Sequence, residues 1–260
     1  MDLDSARVLA RYDERRVLFD GTMNCRDLGG LPIEGGGITA KGRVYRSGRL
    51  SNLMQSDLER FVALGLKQIS DLRLPFEREK YPDSLPHGCD AEEYQFGYLP
   101  ERADAMIEAI NQGQISPDGI LATMREQYAD MAIGHPEIHA QLFRALIKDD
   151  STPALFHCSG GKDRTGVAAA LLQRIAGVGR EIVIADYLVT NLDTLELGVF
   201  DNGASSKLLD VVGRAHAELI ASALSAVENN YDSSADYVRA GLGFSEQEYD
   251  RLVGLLRGPD

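Results

Sequence analysis

The alternation of apolar and polar residues is clearest between residues 153 and 172. Residues 153–156 form an apolar run of strand length, and residues 167–172 form an Ala- and Leu-rich run typical of a buried helix. Between them, residues 157–166 are rich in glycine and charge and contain one cysteine. This order predicts a buried strand, a tight loop and then the first turn of a helix.

Other segments predict further elements on both sides of this unit. Ser-Asp-Leu-Glu at residues 56–59 is a capping box that opens a helix, and residues 67–70 follow it as a strand. Three consecutive glycines within residues 28–45 indicate a hairpin turn. The other predicted helices cover residues 101–115, 116–128, 136–148, 180–191, 208–227 and 245–256.

These elements predict an α/β fold with a short parallel or mixed sheet flanked by helices and a helical C-terminal half. At 260 residues the chain can form one domain over residues 1–260, with residues 1–17 as an N-terminal extension. The apolar stripes between residues 101 and 131 are typical of ordinary core packing.

Composition narrows the classes of function. The net charge of −13 disfavours nucleic acid and anionic membranes as partners. Cys25, Cys89 and Cys158 are widely spaced and odd in number, which argues against a disulfide scaffold and for a reducing compartment. No cluster of histidines and cysteines has metal-ligand spacing in the sequence, so we expect no metal and no other cofactor.

The N-terminus is acidic and lacks an apolar stretch of signal-peptide length. No apolar run approaches the length of an integral membrane segment. We therefore expect a cytoplasmic protein, and export by a route that reads no N-terminal signal stays open.

Residues 157–166 have the composition of an anion-binding loop. Consecutive backbone N–H groups can surround one anion, and Gly160 and Gly161 permit the backbone angles that such a nest requires. The following helix N-terminus is positive, and the planar guanidinium of Arg164 matches two phosphate oxygens. The same field favours the thiolate of Cys158, so the loop predicts a nucleophile beside a bound phosphate.

Four other side chains of the loop have predicted roles. The hydroxyl of Thr165 is placed to donate to the sulfur of Cys158, and His157 is expected to orient the loop rather than act as a base. Ser159 contributes a backbone N–H group to the anion. Lys162 either adds a cation for a polyanionic headgroup or faces solvent.

The loop His-Cys-Ser-Gly-Gly-Lys-Asp-Arg-Thr-Gly resembles the phosphate-binding loop of the cysteine-dependent protein tyrosine phosphatases. Its Lys-Asp pair is similar to the atypical bacterial branch that includes secreted phosphatases of mycobacteria and Listeria. The resemblance spans about residues 18–256. The other segments that resemble this branch are residues 24–30, 45–48, 71–77 and 186–191.

This resemblance implies a cysteine-phosphatase-like sheet and hydrolysis of phosphate monoesters through a phosphocysteine, without a cofactor. It implies phosphotyrosine proteins as substrates, with phosphoserine, phosphothreonine and phosphoinositides as further possibilities, because lipid-active relatives carry a lysine where Lys162 stands. It also implies inhibition by phosphate-like oxyanions and a two-helix lid over residues 101–131. The alternatives are a phosphoinositide-specific phosphatase, another cysteine enzyme such as a rhodanese-like sulfurtransferase or an arsenate reductase, and a non-catalytic phosphate-binding module.

Two aspartates are candidates for the general acid. Asp71 follows the strand predicted at residues 67–70, and ligands of open α/β sheets bind at the carboxyl ends of strands. Its alternative role is an ion pair with Arg73 or a helix N-cap. Asp163 lies within the loop itself, where its alternative role is to fix Arg164 or nearby loop amides.

Other polar residues are given lesser roles. Asp130 precedes Cys158 by a separation similar to that of the acid in dual-specificity phosphatases, but its surroundings predict a helix. Residues 81–83, Tyr-Pro-Asp, are interpreted as a turn. A structural role is favoured for Asn24, Arg26, Asp27, Arg46 and Ser47.

Overall fold

A mixed five-stranded sheet lies at the centre of the protein. The computed structural model describes residue 8, residues 11–193 and residues 206–257. The sheet order is β1-β2-β5-β3-β4, with β1 antiparallel to β2 and the other neighbours parallel. The strands are β1 (Arg26–Asp27), β2 (Val44–Ser47), β3 (Gln68–Asp71), β4 (Glu92–Gln95) and β5 (Ala154–His157).

The predicted buried strand is β5, and all four of its residues are buried between β2 and β3. Parallel neighbours on both sides and helices on both faces explain its continuous apolar sequence. The edge strand β4 was not predicted. Its sequence, Glu-Glu-Tyr-Gln, is polar because its side chains are exposed or half-buried, so no apolar pattern marks it.

Helices cover both faces of the sheet and form most of the C-terminal half. They are α1 (residues 11–15), α2 (Gln55–Ala63), α3 (Pro75–Lys80), α4 (Ala103–Asn111), α5 (Pro117–Ile133), α6 (Pro136–Leu146), α7 (Arg164–Ile175), α8 (Arg180–Leu188), α9 (Ser206–Gly213), α10 (Ala217–Asn230), α11 (Ser234–Asp236) and α12 (Glu246–Arg257). A 3₁₀ turn, Val189–Leu192, follows α8, and a π-helical turn, Tyr237–Gly241, follows α11. Among the described residues, no helix is long and apolar enough to cross a membrane.

The helix caps separate correct from incorrect predictions. The capping box before α12 is confirmed, since Ser245 and Glu248 exchange side-chain-to-backbone hydrogen bonds. The box predicted at Ser56 is wrong, because the helix begins at Gln55 and the carboxylate of Asp57 caps it by accepting from the N–H of Met54. The single helix predicted over 208–227 is divided into α9 and α10.

The helical pair α4 and α5 begins close to its predicted positions. Ser116 caps α5 through its hydroxyl, with proline at the first helical position as the sequence indicates. The buried side chains of α5 include Met124 and Tyr128, and the helix packs chiefly against α10 and α9. The buried face of α5 is part of the hydrophobic core. The lid formed by α4 and α5 stays a prediction.

Candidate active site

The predicted nucleophile lies at the floor of a loop between β5 and α7. Cys158 follows the last residue of β5 and is buried, and α7 begins at Arg164. Of the two loop glycines, Gly161 adopts a positive φ of 65°. A Cβ atom there would lie 2.5 Å from the carbonyl oxygen of Ser47, so both the backbone angle and the close approach to β2 require glycine.

Carbonyl groups of the loop accept hydrogen bonds from residues outside the loop. The backbone N–H of Arg49 donates to the carbonyl of Ser159 (2.9 Å), and the side-chain amide of Asn24 donates to the carbonyl of Gly161 (2.8 Å). In the part of the chain that the structure describes, no N–H group from residue 159 to residue 164 donates a hydrogen bond. Six backbone donors without a partner among the described residues thus lie next to Cys158 at the N-terminus of α7, an arrangement that suits an anion.

Buried polar residues from the N-terminal third hold this loop in place. Arg46 on β2 donates to the carbonyl of Gly161, and Arg26 on β1 donates to the side-chain oxygen of Asn24. Asn24 itself has a positive φ of 59°, a conformation that asparagine tolerates better than most residues. The structural role favoured for these residues is therefore exerted on the loop between β5 and α7.

Asp186 on α8 supplies the negative charge that balances the buried guanidinium groups of Arg15, Arg26 and Arg46. Its carboxylate accepts from Arg15 (2.6 Å) and from the side-chain amide of Gln173 (2.8 Å), and it lies 3.5 Å from the Nε of Arg26. Burial opposes its ionisation, but Arg15, Arg26 and Arg46 together hold the pKa of Asp186 well below its usual range. Arg15 lies within the predicted N-terminal extension, and its side chain is buried.

We expect Asp186→Asn to lower the free energy of unfolding by about 3 kcal/mol at pH 7, because buried arginines then lose their counter-charge. The folded-state pKa is lowered, so the ionised carboxylate stabilises the fold above the unfolded value of about 3.9. This contribution is lost as the pH falls through the folded-state pKa. Urea unfolding at several pH values should therefore show the difference between wild type and variant shrinking towards low pH.

Asp149 provides a matched control for this prediction. It also pairs with an arginine, Arg251, at 2.7 Å, but its side chain is 95% exposed. Asp149→Asn should leave the urea midpoint unchanged because solvent screens such pairs. An Asp186→Asn variant as stable as wild type at pH 7 would contradict the role given to this carboxylate.

Arg164 is held rigidly by a glutamate from α3. Its Nη1 and Nη2 atoms each lie 2.7 Å from one oxygen of Glu77, and Nη1 also donates to the carbonyl of Leu72 at 3.0 Å. Burial opposes the charge of Arg164, but Glu77 raises the pKa of the guanidinium above its usual value. The arginine therefore stays charged and fixed in orientation.

Glu77 is itself stabilised as an anion. Burial alone would raise its pKa, but hydrogen bonds from Arg164 and from the hydroxyl of Ser159 lower it to about 2. The Ser159 hydroxyl lies 2.6 Å from one carboxylate oxygen, and the N–H of Leu74 lies 2.9 Å from the other. Glu77 thus connects α3 to two loop residues. The sequence indicated this position only as part of a family-like segment.

The hydrogen bonds of Arg164 leave one edge of its guanidinium available. A guanidinium has five N–H donors, and Glu77 occupies the end formed by Nη1 and Nη2. Within the described residues, Nε of Arg164 makes no hydrogen bond, and Nη2 uses one of its two hydrogens. The remaining pair, Nε–H and Nη2–H, points along one edge and can donate to two oxygens of a phosphate.

Asp71, the first candidate for the general acid, is engaged by an arginine. Both of its oxygens accept from the guanidinium of Arg73, at 2.7–3.1 Å, and one also accepts from the backbone N–H of Arg73 at 2.8 Å. Its side chain is only 8% exposed. This is the ion pair given above as the alternative role of Asp71.

Asp83, interpreted above as part of a turn, lies directly behind the loop. Its carboxylate is 2.7 Å from Arg73 and 3.2 Å from Nε2 of His157. Burial alone would lower the pKa of His157, but the Asp83 carboxylate raises it above its usual value. His157 thus faces Asp83 rather than the anion site, in agreement with an orienting role.

Asp71, Asp83 and His157 form a group whose donor atoms lie within 4.8 Å of one another. Such a group has the chemistry of a metal site, but Nη2 of Arg73 lies 2.7 Å from a carboxylate oxygen of both aspartates. The guanidinium of Arg73 therefore already supplies the positive charge that the two carboxylates require.

Asp163, the second candidate for the general acid, is partly exposed to solvent. Its side chain is 41% exposed, and its Oδ1 atom accepts a hydrogen bond of 2.6 Å from the hydroxyl of Tyr128 on α5. The residue directly precedes α7, beside Arg164. Asp163 thus combines proximity to the loop with access to a substrate.

Two predictions about loop side chains are corrected by the structure. Lys162 neither faces solvent nor points to the anion site, because its buried ammonium donates to the carbonyls of Val212 and Arg214 at the C-terminal end of α9. Helix C-termini carry negative partial charge, which explains this direction. The hydroxyl of Thr165 is buried without a hydrogen-bond partner among the described residues, so it does not bond the sulfur of Cys158.

Comparison with known sequences identifies relatives of the whole chain. A model of the tyrosine phosphatase family matches residues 17–257. A Cupriavidus necator protein with an inferred tyrosine-protein phosphatase activity is 32% identical, over 98% of this chain and 90% of its own length. The triple specificity protein phosphatase PtpB of Mycobacterium tuberculosis is 26% identical, over 84% and 91% of the two chains.

Solved structures with a distant likeness to this chain include a yeast phosphatase domain. The core catalytic domain of the PP-IP phosphatase SIW14 from S. cerevisiae is 15% identical with a TM-score of 0.35. The alignment covers 77% of this chain and 95% of that one. At this score the likeness carries no argument about the site described above.

Proposed function

This chain belongs to the tyrosine phosphatase family, and on that premise we propose that it dephosphorylates phosphotyrosine proteins through a phosphocysteine formed on Cys158. The observation that carries the proposal is that, among the described residues, six loop amides and one edge of Arg164 beside the buried Cys158 have no hydrogen-bond partner. Such donors suit the equatorial oxygens of a phosphoryl group.

The proposed reaction has two displacements. In the first, the Cys158 thiolate attacks phosphorus, the S–P bond forms, and the P–O bond to the substrate breaks while that oxygen receives a proton. In the second, water attacks phosphorus and gives a proton to the carboxylate that acted as the acid, the S–P bond breaks to restore the thiolate, and inorganic phosphate leaves. Loop amides and Arg164 stabilise the charge that grows on the oxygens in both steps.

Asp163 is the acid that we assign to the first displacement. It lies beside Arg164 and is exposed at the mouth, whereas both oxygens of Asp71 are occupied by Arg73. Since Arg73 binds both oxygens of Asp71 and the side chain is buried, neither oxygen is placed to meet the leaving oxygen of a substrate. We assign Asp71 a positioning role through Arg73 and Asp83.

The two assignments predict different responses to the leaving group. For Asp163→Asn we expect kcat on phenyl phosphate to fall by about 10²-fold and kcat on 2,4-dinitrophenyl phosphate to change little, because a good leaving group departs without a proton. For Asp71→Asn we expect any loss to be similar for both substrates. Steady-state kinetics with the two esters tests both statements, and the reverse pattern would transfer the acid role to Asp71.

Phosphotyrosine is favoured over phosphoinositides as the substrate. The case for a polyanionic headgroup depended on the charge of Lys162, and that ammonium is bound to the carbonyls of Val212 and Arg214. Phosphoserine and phosphothreonine stay within the proposed range, since one relative is named for triple specificity. Assays with phosphotyrosine, phosphoserine and phosphoinositide substrates test this order, and vanadate should inhibit all turnover.

We further propose a cytoplasmic location. Cys25, Cys89 and Cys158 are free thiols, and the mechanism requires Cys158 to be reduced. Nucleic acid is not proposed as a partner, because the net charge of −13 repels polyanions outside the phosphate-binding loop.

A further inference from the structure

Three side chains from separate parts of the chain form a line of hydrogen bonds that ends at the loop. The hydroxyl oxygens of Tyr187 and Tyr128 are 2.6 Å apart, and the Tyr128 hydroxyl lies 2.6 Å from Oδ1 of Asp163. Both tyrosines are 1% exposed, and their rings meet edge to face. The two hydroxyl groups are therefore shielded from water and fixed by packing, and the line ends at the partly exposed Asp163.

The direction of these hydrogen bonds follows from the chemistry of the end group. An ionised carboxylate only accepts, so the Tyr128 hydroxyl donates to Asp163 and accepts from Tyr187. Burial and the charge of Asp163 raise the pKa of Tyr128 well above its usual value, and the same causes raise the pKa of Tyr187. Both hydroxyls keep their protons at neutral pH.

The two oxygens of Asp163 consequently differ. Oδ1 accepts from Tyr128 and lies 3.4 Å from the ammonium of Lys162. Among the residues that the structure describes, none donates to Oδ2. A proton on Oδ1 would meet the hydrogen that the Tyr128 hydroxyl donates and the positive charge of Lys162. A proton on Oδ2 would meet neither.

The line of hydroxyl groups also contacts the start of α7 through the ring of Tyr187. A Cβ atom at Gly166, in the first turn of α7, would lie 3.1 Å from Cε2 of Tyr187. The ring of Tyr187 therefore packs directly on the start of the loop helix. Tyr128 belongs to α5, so the hydroxyl line couples that helix to Asp163.

We propose that Tyr128 is a positioning residue that fixes the rotation of the Asp163 carboxyl group and keeps its transferable proton on Oδ2, directed at the leaving oxygen. The proposal rests on the proposed role of Asp163 as the acid. During the first displacement the proton moves from Oδ2 to the leaving oxygen as the P–O bond breaks. Tyr128 and Tyr187 retain their own protons throughout.

Tyr128→Phe tests the proposal, because it removes one oxygen and keeps the ring. We expect kcat on phenyl phosphate to fall about 10-fold and kcat on 2,4-dinitrophenyl phosphate to stay within about 2-fold of wild type. In an Asp163→Asn background, adding Tyr128→Phe should not lower kcat on phenyl phosphate any further. The Kd of vanadate, which reports on the loop, should be unchanged.

Tyr237→Phe is the matched control. Tyr237 is equally buried, and its hydroxyl donates to the carbonyl of Ala132 on the same helix α5, at 2.9 Å. Thermal unfolding of both variants measures the cost of losing a buried hydroxyl, and Tyr237→Phe should not alter the dependence on the leaving group.

The possible failures are distinguishable. Equal losses on both esters, or no loss on either, would overturn the positioning role of Tyr128 while leaving Asp163 as the acid. If Asp163→Asn itself showed no dependence on the leaving group, the acid assignment would fail, and the role of Tyr128 would fail with it.

Discussion

Replacing Cys158 with serine is expected to lower kcat on phosphotyrosine by more than about 10⁴-fold, because a hydroxyl at this position is neutral and far less nucleophilic than a thiolate. Oxyanion binding should persist, since the loop amides and Arg164 do not depend on the sulfur. Turnover assays and calorimetric titration with inorganic phosphate measure the two properties separately. Acid quenching of the wild type with labelled substrate should trap a phosphocysteine.

The other cysteines provide the control. Burial raises the pKa of Cys25 to about 12, so that thiol stays protonated and is not a competing nucleophile. Cys89 is half-buried against an apolar cluster that includes Phe61 and Leu155, and it is the better site for a matched variant. Cys89→Ser should retain wild-type turnover. Substantial turnover by Cys158→Ser would exclude the phosphocysteine mechanism.

Replacing Arg164 with lysine is expected to lower kcat/KM by about 10³-fold, although the positive charge is retained. Lysine lacks the planar fork, so it cannot bind Glu77 with one edge and two phosphate oxygens with another. Phosphate affinity should fall as well. Steady-state kinetics and phosphate titration provide the measurements, with the thermal midpoint as a check on folding.

Arg102 is a suitable control for this substitution. It pairs with Glu126 on the surface, and both side chains are more than half exposed. Arg102→Lys should leave kcat/KM unchanged. If Arg164→Lys kept activity within about 10-fold of wild type, the charge alone would suffice and the fork geometry would not matter.

The sequence predicted an element correctly where the residues that interact to form it are neighbours in the chain. The strand, loop and helix around Cys158 were predicted correctly because the apolar runs and the glycine-rich segment lie next to one another in the chain. The capping box at Ser245 was correct for the same reason, since both partners lie within one helical turn. The edge strand β4 was missed because exposed strands carry no apolar signal.

Side-chain partners distant in sequence were not predictable in this way. Glu77 binds Arg164 from 87 residues away, and Tyr128 reaches Asp163 from 35 residues away. Charge and residue type are known from the sequence, but spacing along the chain does not tell which groups approach in space. For Asp71, the sequence suggested both a proton donor and an ion pair, and the structure contains the ion pair.

By itself, the sequence determined the α/β class and the strand, loop and helix that place Cys158 and Arg164 at the two ends of one short loop. These follow from contiguous residues whose backbone conformation is set locally by glycine, the strand end and the helix start. Only the tertiary structure decided the direction of Lys162, the support of Arg164 by Glu77, and the hydroxyl line to Asp163. Each of these depends on helices packed across the sheet, where a buried charge or hydroxyl must find whichever partner the fold brings within reach.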